Sequence, residues 1–143
     1  MASLNPYVHF NGNTEEAFNF YKSVFGGEFV TLSRNKDIPA GTQNPTNPDE
    51  AEKILHVSLP IGNNSVLMGS DRPSVMGPAT IGDNITISAN AETEEDATRL
   101  FNGLSAGGQV FMPLGKTLWG AFFGMFKDKF DINWMINYDY NRK

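Results

Sequence analysis

Thr14-Glu15-Glu16 opens a run in which Ala17, Phe18, Tyr21, Val24 and Phe25 recur at three- and four-residue spacing before Gly26-Gly27. About 80 residues later Thr93-Glu94-Glu95 opens a second run, with Ala97, Leu100, Phe101 and Leu104 on one stripe, ending near Gly107-Gly108. An apolar stripe at that spacing, entered through an acidic turn and left at glycine, predicts a helix each time. A duplicated start and stop constrains the chain to two copies of one module. Each helix follows a short alternating segment (residues 5–11 and 85–89) and precedes three more. In the first half these are 28–33, 54–61 and 65–70, and in the second 109–114, 118–126 and 132–138. The plan is β-α-β-β-β twice, an α+β domain, with module one at about 1–71, a connector at 72–82 and module two at about 83–143.

Face parity sorts the strand residues. Along 54–61, Leu55, Val57, Leu59 and Ile61 form an aliphatic set that belongs against the helix, which sends Ile54, His56, Ser58 and Pro60 to the opposite face. The same parity groups Asn84, Thr86 and Ser88 on one strand and Asn133, Met135 and Asn137 on another. Trp119, Phe122 or Phe123 would wall such a polar, uncharged surface. Between the strands, residues 35–53 contain three prolines, one glycine and five Asn or Asp, and read as a mobile loop at the edge of a pocket, a lid. His9, among Tyr7, Val8 and Phe10, is expected in the core.

Composition removes whole function classes. Eleven basic against sixteen acidic residues leave a net charge of −5, without the basic stripe that phosphate backbones require, so no nucleic-acid partner is expected. No cysteine means no thiolate nucleophile and no Cys-ligated metal. No serine sits in a G-x-S-x-G elbow, and the paired glycines end helices where a phosphate cradle would have to precede one. The chain opens without a basic segment followed by an apolar one, and no stretch approaches the roughly 20 apolar residues of a bilayer span, so a cytoplasmic protein with no membrane partner is expected.

The segments PYVHFNGNTEEAFNFYKSVFGGEF, ILHVSLPIGNNSVLMGSD and LWGAFFGMFKDKFDINWMIN, set in the duplicated plan, resemble the PhnB-like branch of the vicinal oxygen chelate superfamily. That superfamily includes glyoxalase I, extradiol dioxygenases and the fosfomycin and bleomycin resistance proteins. The resemblance implies strands curled into an incomplete barrel around a small-molecule pocket, usually in a homodimer. It also implies metal ligands on the first and last strands of each module, positions that fall here on Pro6, Asn84, Met68 and Met135. Proline cannot ligate, a lone amide is weak and thioethers suit soft ions, so no metal and no cofactor is expected. A relocated site would need His9 and His56 with Asp71 or Glu28. The expected function is binding or sequestering of an unidentified small molecule by Ser58, Met68, Asn84, Thr86, Ser88, Trp119, Phe123, Asn133 and Met135. The alternative is a lyase, isomerase or dioxygenase-type enzyme that uses His56 as acid or base, or a relocated metal.

Overall fold

A computed structural model describes residues 2–38 and 48–141. The chain divides into two units, Met1–Thr80 and Ile81–Lys143. In the first, β1 (Tyr7–Phe10), α1 (Thr14–Phe25), β2 (Thr31–Arg34), β3 (Ile54–Ile61) and β4 (Ser65–Asp71) form a four-stranded sheet in the order β1-β4-β3-β2. In the second, β5 (Ile87–Asn90), α2 (Glu94–Ser105), β6 (Gln109–Lys116), β7 (Ala121–Lys127) and β8 (Asn133–Asp139) repeat that order as β5-β8-β7-β6. The first strand of each unit runs parallel to the last and the other pairs are antiparallel. The fold is α+β, two tandem β-α-β-β-β modules, as the duplicated pattern predicts.

Each helix covers one face of its own sheet. Ala17, Phe18 and Tyr21 of α1 are buried with Val57, Leu59 and Leu67, while Ala97, Leu100, Phe101 and Leu104 of α2 are buried with Phe126, Trp134 and Ile136. In both units a phenylalanine ring lies over a strand glycine. A Cβ at Gly69 would stand 2.7 Å from Phe18 Cε1 and 2.8 Å from the Val8 carbonyl oxygen; at Gly124 it would stand 2.6 Å from Phe101 Cε2. Gly69→Ala should therefore lower unfolding stability by about 2 kcal/mol in urea denaturation, because both the ring and a backbone carbonyl must move. A change within experimental error would show that the helix does not sit so close.

The helix starts differ in how they are capped. Thr93 Oγ1 accepts from Asp96 N at 3.0 Å, a side-chain cap for α2. Asn13, at the equivalent place before α1, makes no side-chain cap bond. Asp71, from the end of β4, takes that role through Thr14 N and Thr14 Oγ1.

Strand parity breaks in the first sheet between β2 and β3, and in the second between β6 and β7 around Met112. Arg34 pairs with Ile54 but Ser33 pairs with His56, so Leu55 falls in a bulge. Leu55 is consequently 40% exposed and Ile54 1% exposed, the reverse of their assignment from alternation; Val57 and Leu59 keep the helix-facing side. Arg34 also ties α1 to the sheet edge, donating to both Glu15 oxygens at 3.1 and 2.7 Å and to the Glu52 carbonyl at 2.9 Å. The Arg34 hydrogen bond holds the Glu15 carboxyl below its ordinary value. A lowered folded-state pKa contributes stability above the unfolded value and loses it as pH falls through the folded one. With Glu15 47% exposed, solvent limits the gain. Glu15→Gln should cost at most about 1 kcal/mol near neutrality, and acid titration of the two proteins should bring their stabilities together as pH falls below the ordinary glutamate value.

The ends of the 35–53 segment are ordered, contrary to the reading of a wholly irregular loop. Asn35 N and Lys36 N donate to the carbonyls of Lys53 and Ala51, Asn35 Nδ2 donates to the Glu50 carbonyl, and short 3-10 turns form at Asn35–Asp37 and Pro48–Glu50. Residues 39–47, on which the expectation of a mobile lid falls, lie outside the described residues. Among the described residues no helix is long and apolar enough to cross a membrane.

Candidate functional site

On the first sheet, the face away from α1 carries two rows of side chains fixed by strand register. Tyr7, Met68, Ser58 and Thr31 form one row across β1, β4, β3 and β2. His9 and Ser70 pair in the next, alongside His56 and Ser33. Neither row holds a charged carboxylate, lysine or arginine. Tyr7 makes the centre: its ring centroid lies 5.1 Å from that of His9 and 5.5 Å from that of His56, and its Oη is 3.3 Å from His56 Nδ1. His9 Nδ1 is 3.4 Å from Ser70 Oγ, and Ser33 Oγ reaches the His56 carbonyl at 3.5 Å. Ser58 and Ser70 are buried, whereas Tyr7 is 41% exposed. The arrangement offers a reachable phenol and two imidazoles over buried hydroxyls, able to hydrogen-bond and stack.

His9 is exposed, not in the core as its apolar neighbours imply. Alternation explains it: Val8 and Phe10 point to the helix side, and His9 shares the parity of Tyr7. Parity also moves the first-strand position. Tyr7, not Pro6, stands across from Met68; Pro6 contributes only its carbonyl, to Met68 N at 3.0 Å. Which residue of the first strand stands across from Met68 depends on the pairing, since one residue of register inverts the side chains of a strand.

The second unit presents the matching face with different chemistry. Ser88 stands across from Met135 and Asn90 across from Asn137, the places of Tyr7 with Met68 and His9 with Ser70. The two methionines therefore recur at one position of the module, while the phenol and imidazole do not. Met125 and Phe123 of β7 extend these rows. Asn84 and Thr86 precede β5, and Asn84 is exposed. Asn133 is occupied locally, its Nδ2 donating to the Gly82 and Ile85 carbonyls at 3.2 and 3.4 Å. Trp119 is 65% exposed on the turn before β7, with its ring 5.9 Å from that of half-buried Phe123. Asn90, Ala91, Glu92, Asn137 and Asp139 line a cavity of about 470 Å³ within this unit.

The resemblance to the vicinal oxygen chelate superfamily implies a divalent metal, and the donors present do not fit one. The paired first- and last-strand positions hold Tyr7, Met68, Ser88 and Met135, without a carboxylate. The acids weighed for a relocated site are engaged elsewhere. Asp71 bonds Thr14 and Ile54, and Glu28 pairs with Lys22 at 2.9 Å. Among the described residues no three His, Asp or Glu side chains cluster as a metal would need.

The pattern of the Glyoxalase/Bleomycin resistance protein/Dioxygenase superfamily matches residues 3–136. The Escherichia coli K12 protein YjdN is 30% identical, over 94% of this chain and 93% of its own. Protein PA1353 from Pseudomonas aeruginosa has a crystal structure similar at a TM-score of 0.83, with 38% identity over 97% of this chain and 98% of its own. A PhnB protein of Bacillus cereus, assigned provisionally as a 3-demethylubiquinone-9 3-methyltransferase, is similar at a TM-score of 0.74, with 26% identity over 96% of this chain and 99% of its own.

Proposed function

Because this chain belongs to the glyoxalase/bleomycin resistance protein/dioxygenase superfamily, we propose that it is a small-molecule-binding or sequestering protein whose ligand is held by sheet-face side chains and not by a divalent metal. The Tyr7 face carries the reading. A reachable aromatic ring, flanked by two imidazoles and backed by hydroxyls and a thioether, suits a small planar molecule that stacks and accepts one or two hydrogen bonds. In the second unit Ser88, Met135, Asn137 and Phe123 have the same uncharged character. The partner in this reading is a second copy of the chain. β6 is the edge of its sheet and leaves Val110, Phe111 and Met112 exposed, as are Leu118 and Trp119 in the turn after it.

A catalytic reading has one observation in its favour, the contact of Tyr7 Oη with His56 Nδ1, which is the geometry of an acid–base pair. Methyl transfer, which the name of the Bacillus cereus relative brings to mind, has none. Asn11-Gly12-Asn13 before α1 and Ala91-Glu92-Thr93 before α2 form no glycine-rich cradle for a nucleotide cofactor.

Melting temperatures with benzamide, benzoate and benzylamine, each with and without Zn²⁺ or Mn²⁺, test the proposal. Near pH 8 benzamide should raise the melting temperature in a saturable way, and neither metal should raise it or be required. Tyr7→Phe, which keeps the ring and removes the hydroxyl, should weaken benzamide about tenfold. Stabilisation by metal alone would overturn the reading.

A further inference from the structure

We infer that His9 and His56 make the Tyr7 face charge-selecting: with neutral imidazoles it takes an uncharged aromatic, and with protonated ones it takes a small organic carboxylate. The inference rests on the reading of this face as a ligand surface. The chain has two histidines, and they come from different strands to the same ring. Imidazole is the side chain whose charge pH most readily changes in the physiological range, and here two of them flank one ring.

What the face lacks decides the consequence. Tyr7 and His9 come from β1, Met68 and Ser70 from β4, His56 and Ser58 from β3, and Thr31 and Ser33 from β2. Apart from the Tyr7 phenol and the two imidazoles, none of these groups titrates. The charged residues next in sequence are committed elsewhere: Asp71 to Thr14 and Ile54, and Arg34 to Glu15. None of the ion pairs formed among the described residues includes His9 or His56. A ligand carboxylate would supply the missing charge, with its aromatic body on the Tyr7 ring. This selection runs against the net charge of −5, so it must be local.

Calorimetric affinities of benzoate and benzamide at about pH 8 and about pH 5.5 test it, since benzoate is ionised at both. Benzoate should tighten at least about tenfold on acidification, and benzamide should stay within about twofold. His9→Asn and His56→Asn should each remove part of the benzoate gain, and the double variant all of it, with helical circular dichroism reporting that each is folded. Benzamide binding at both pH values with no change for benzoate would overturn the inference and leave the ligand surface standing. Binding of neither compound at either pH would overturn the ligand surface itself. The wild-type protein decides between these outcomes even if a variant does not fold.

Discussion

Asp71→Ala should lower the free energy of unfolding by about 3–5 kcal/mol, a large part of the roughly 5–15 kcal/mol that holds a domain of this size together. The carboxylate is 7% exposed and closes three elements of the first unit at one point. Its Oδ1 accepts from Thr14 Oγ1 at 2.6 Å and Thr14 N at 3.1 Å, and its Oδ2 accepts from Ile54 N at 2.8 Å. Alanine would strand the fully buried Thr14 hydroxyl and the Ile54 amide, and would remove a negative charge from the positive end of α1. Asp71→Asn should cost less, about 2 kcal/mol, because one acceptor oxygen remains while the amide turns donors toward donors. Urea unfolding followed by circular dichroism measures both. A loss under 1 kcal/mol for alanine would mean the three bonds do not form together.

Asp128→Ala should be comparably severe in the second unit, at about 3 kcal/mol. Asp128 is 2% exposed in the turn between β7 and β8. Oδ1 accepts from Phe130 N and Ile132 N at 2.7 and 3.1 Å, and Oδ2 from Trp134 Nε1 at 2.8 Å. The turn brings Asp131 to a φ of 70°, a conformation that a non-glycine residue adopts here with its own amide bonded to the Asp128 carbonyl. Removing the carboxylate withdraws the acceptor from a buried indole, so Trp134 emission should change in the folded protein as well as stability in urea. Both tryptophans of the chain lie in this unit. Asp128→Ala should accordingly change the folded emission spectrum through Trp134.

The architecture was legible because its signals are local and occur twice. An acidic entry, a 3.6-residue stripe and a glycine stop recur in sequence, and α1 ends at Gly26 with φ 81° where the pattern puts the stop. The strand faces were legible only where pairing is regular. Val57 and Leu59 follow alternation, but the bulge opposite Leu55 depends on how β2 meets β3, which neither strand records by itself. The same limit applied to Tyr7. Its place across from Met68 is a matter of one residue of register, and one residue inverts every side chain of a strand. Asp71 reads in sequence as a free acid at a strand end and hence as a possible ligand. Its partners Thr14 and Ile54 are 57 and 17 residues away, so only the fold shows that it is occupied. Asp128 is different, because its partners lie within six residues and its role is local to one turn.

If the Tyr7 face binds an uncharged aromatic ligand and not a divalent metal, its two imidazoles will report it. With two histidines in the chain, the imidazole Hε1 region of a proton NMR spectrum contains two signals, assignable by His9→Asn and His56→Asn. Benzamide added near pH 8 should shift both signals in a saturable way, while Zn²⁺ should leave them in place. Zn²⁺ shifting both signals at one equivalent, with benzamide moving neither, would contradict the account.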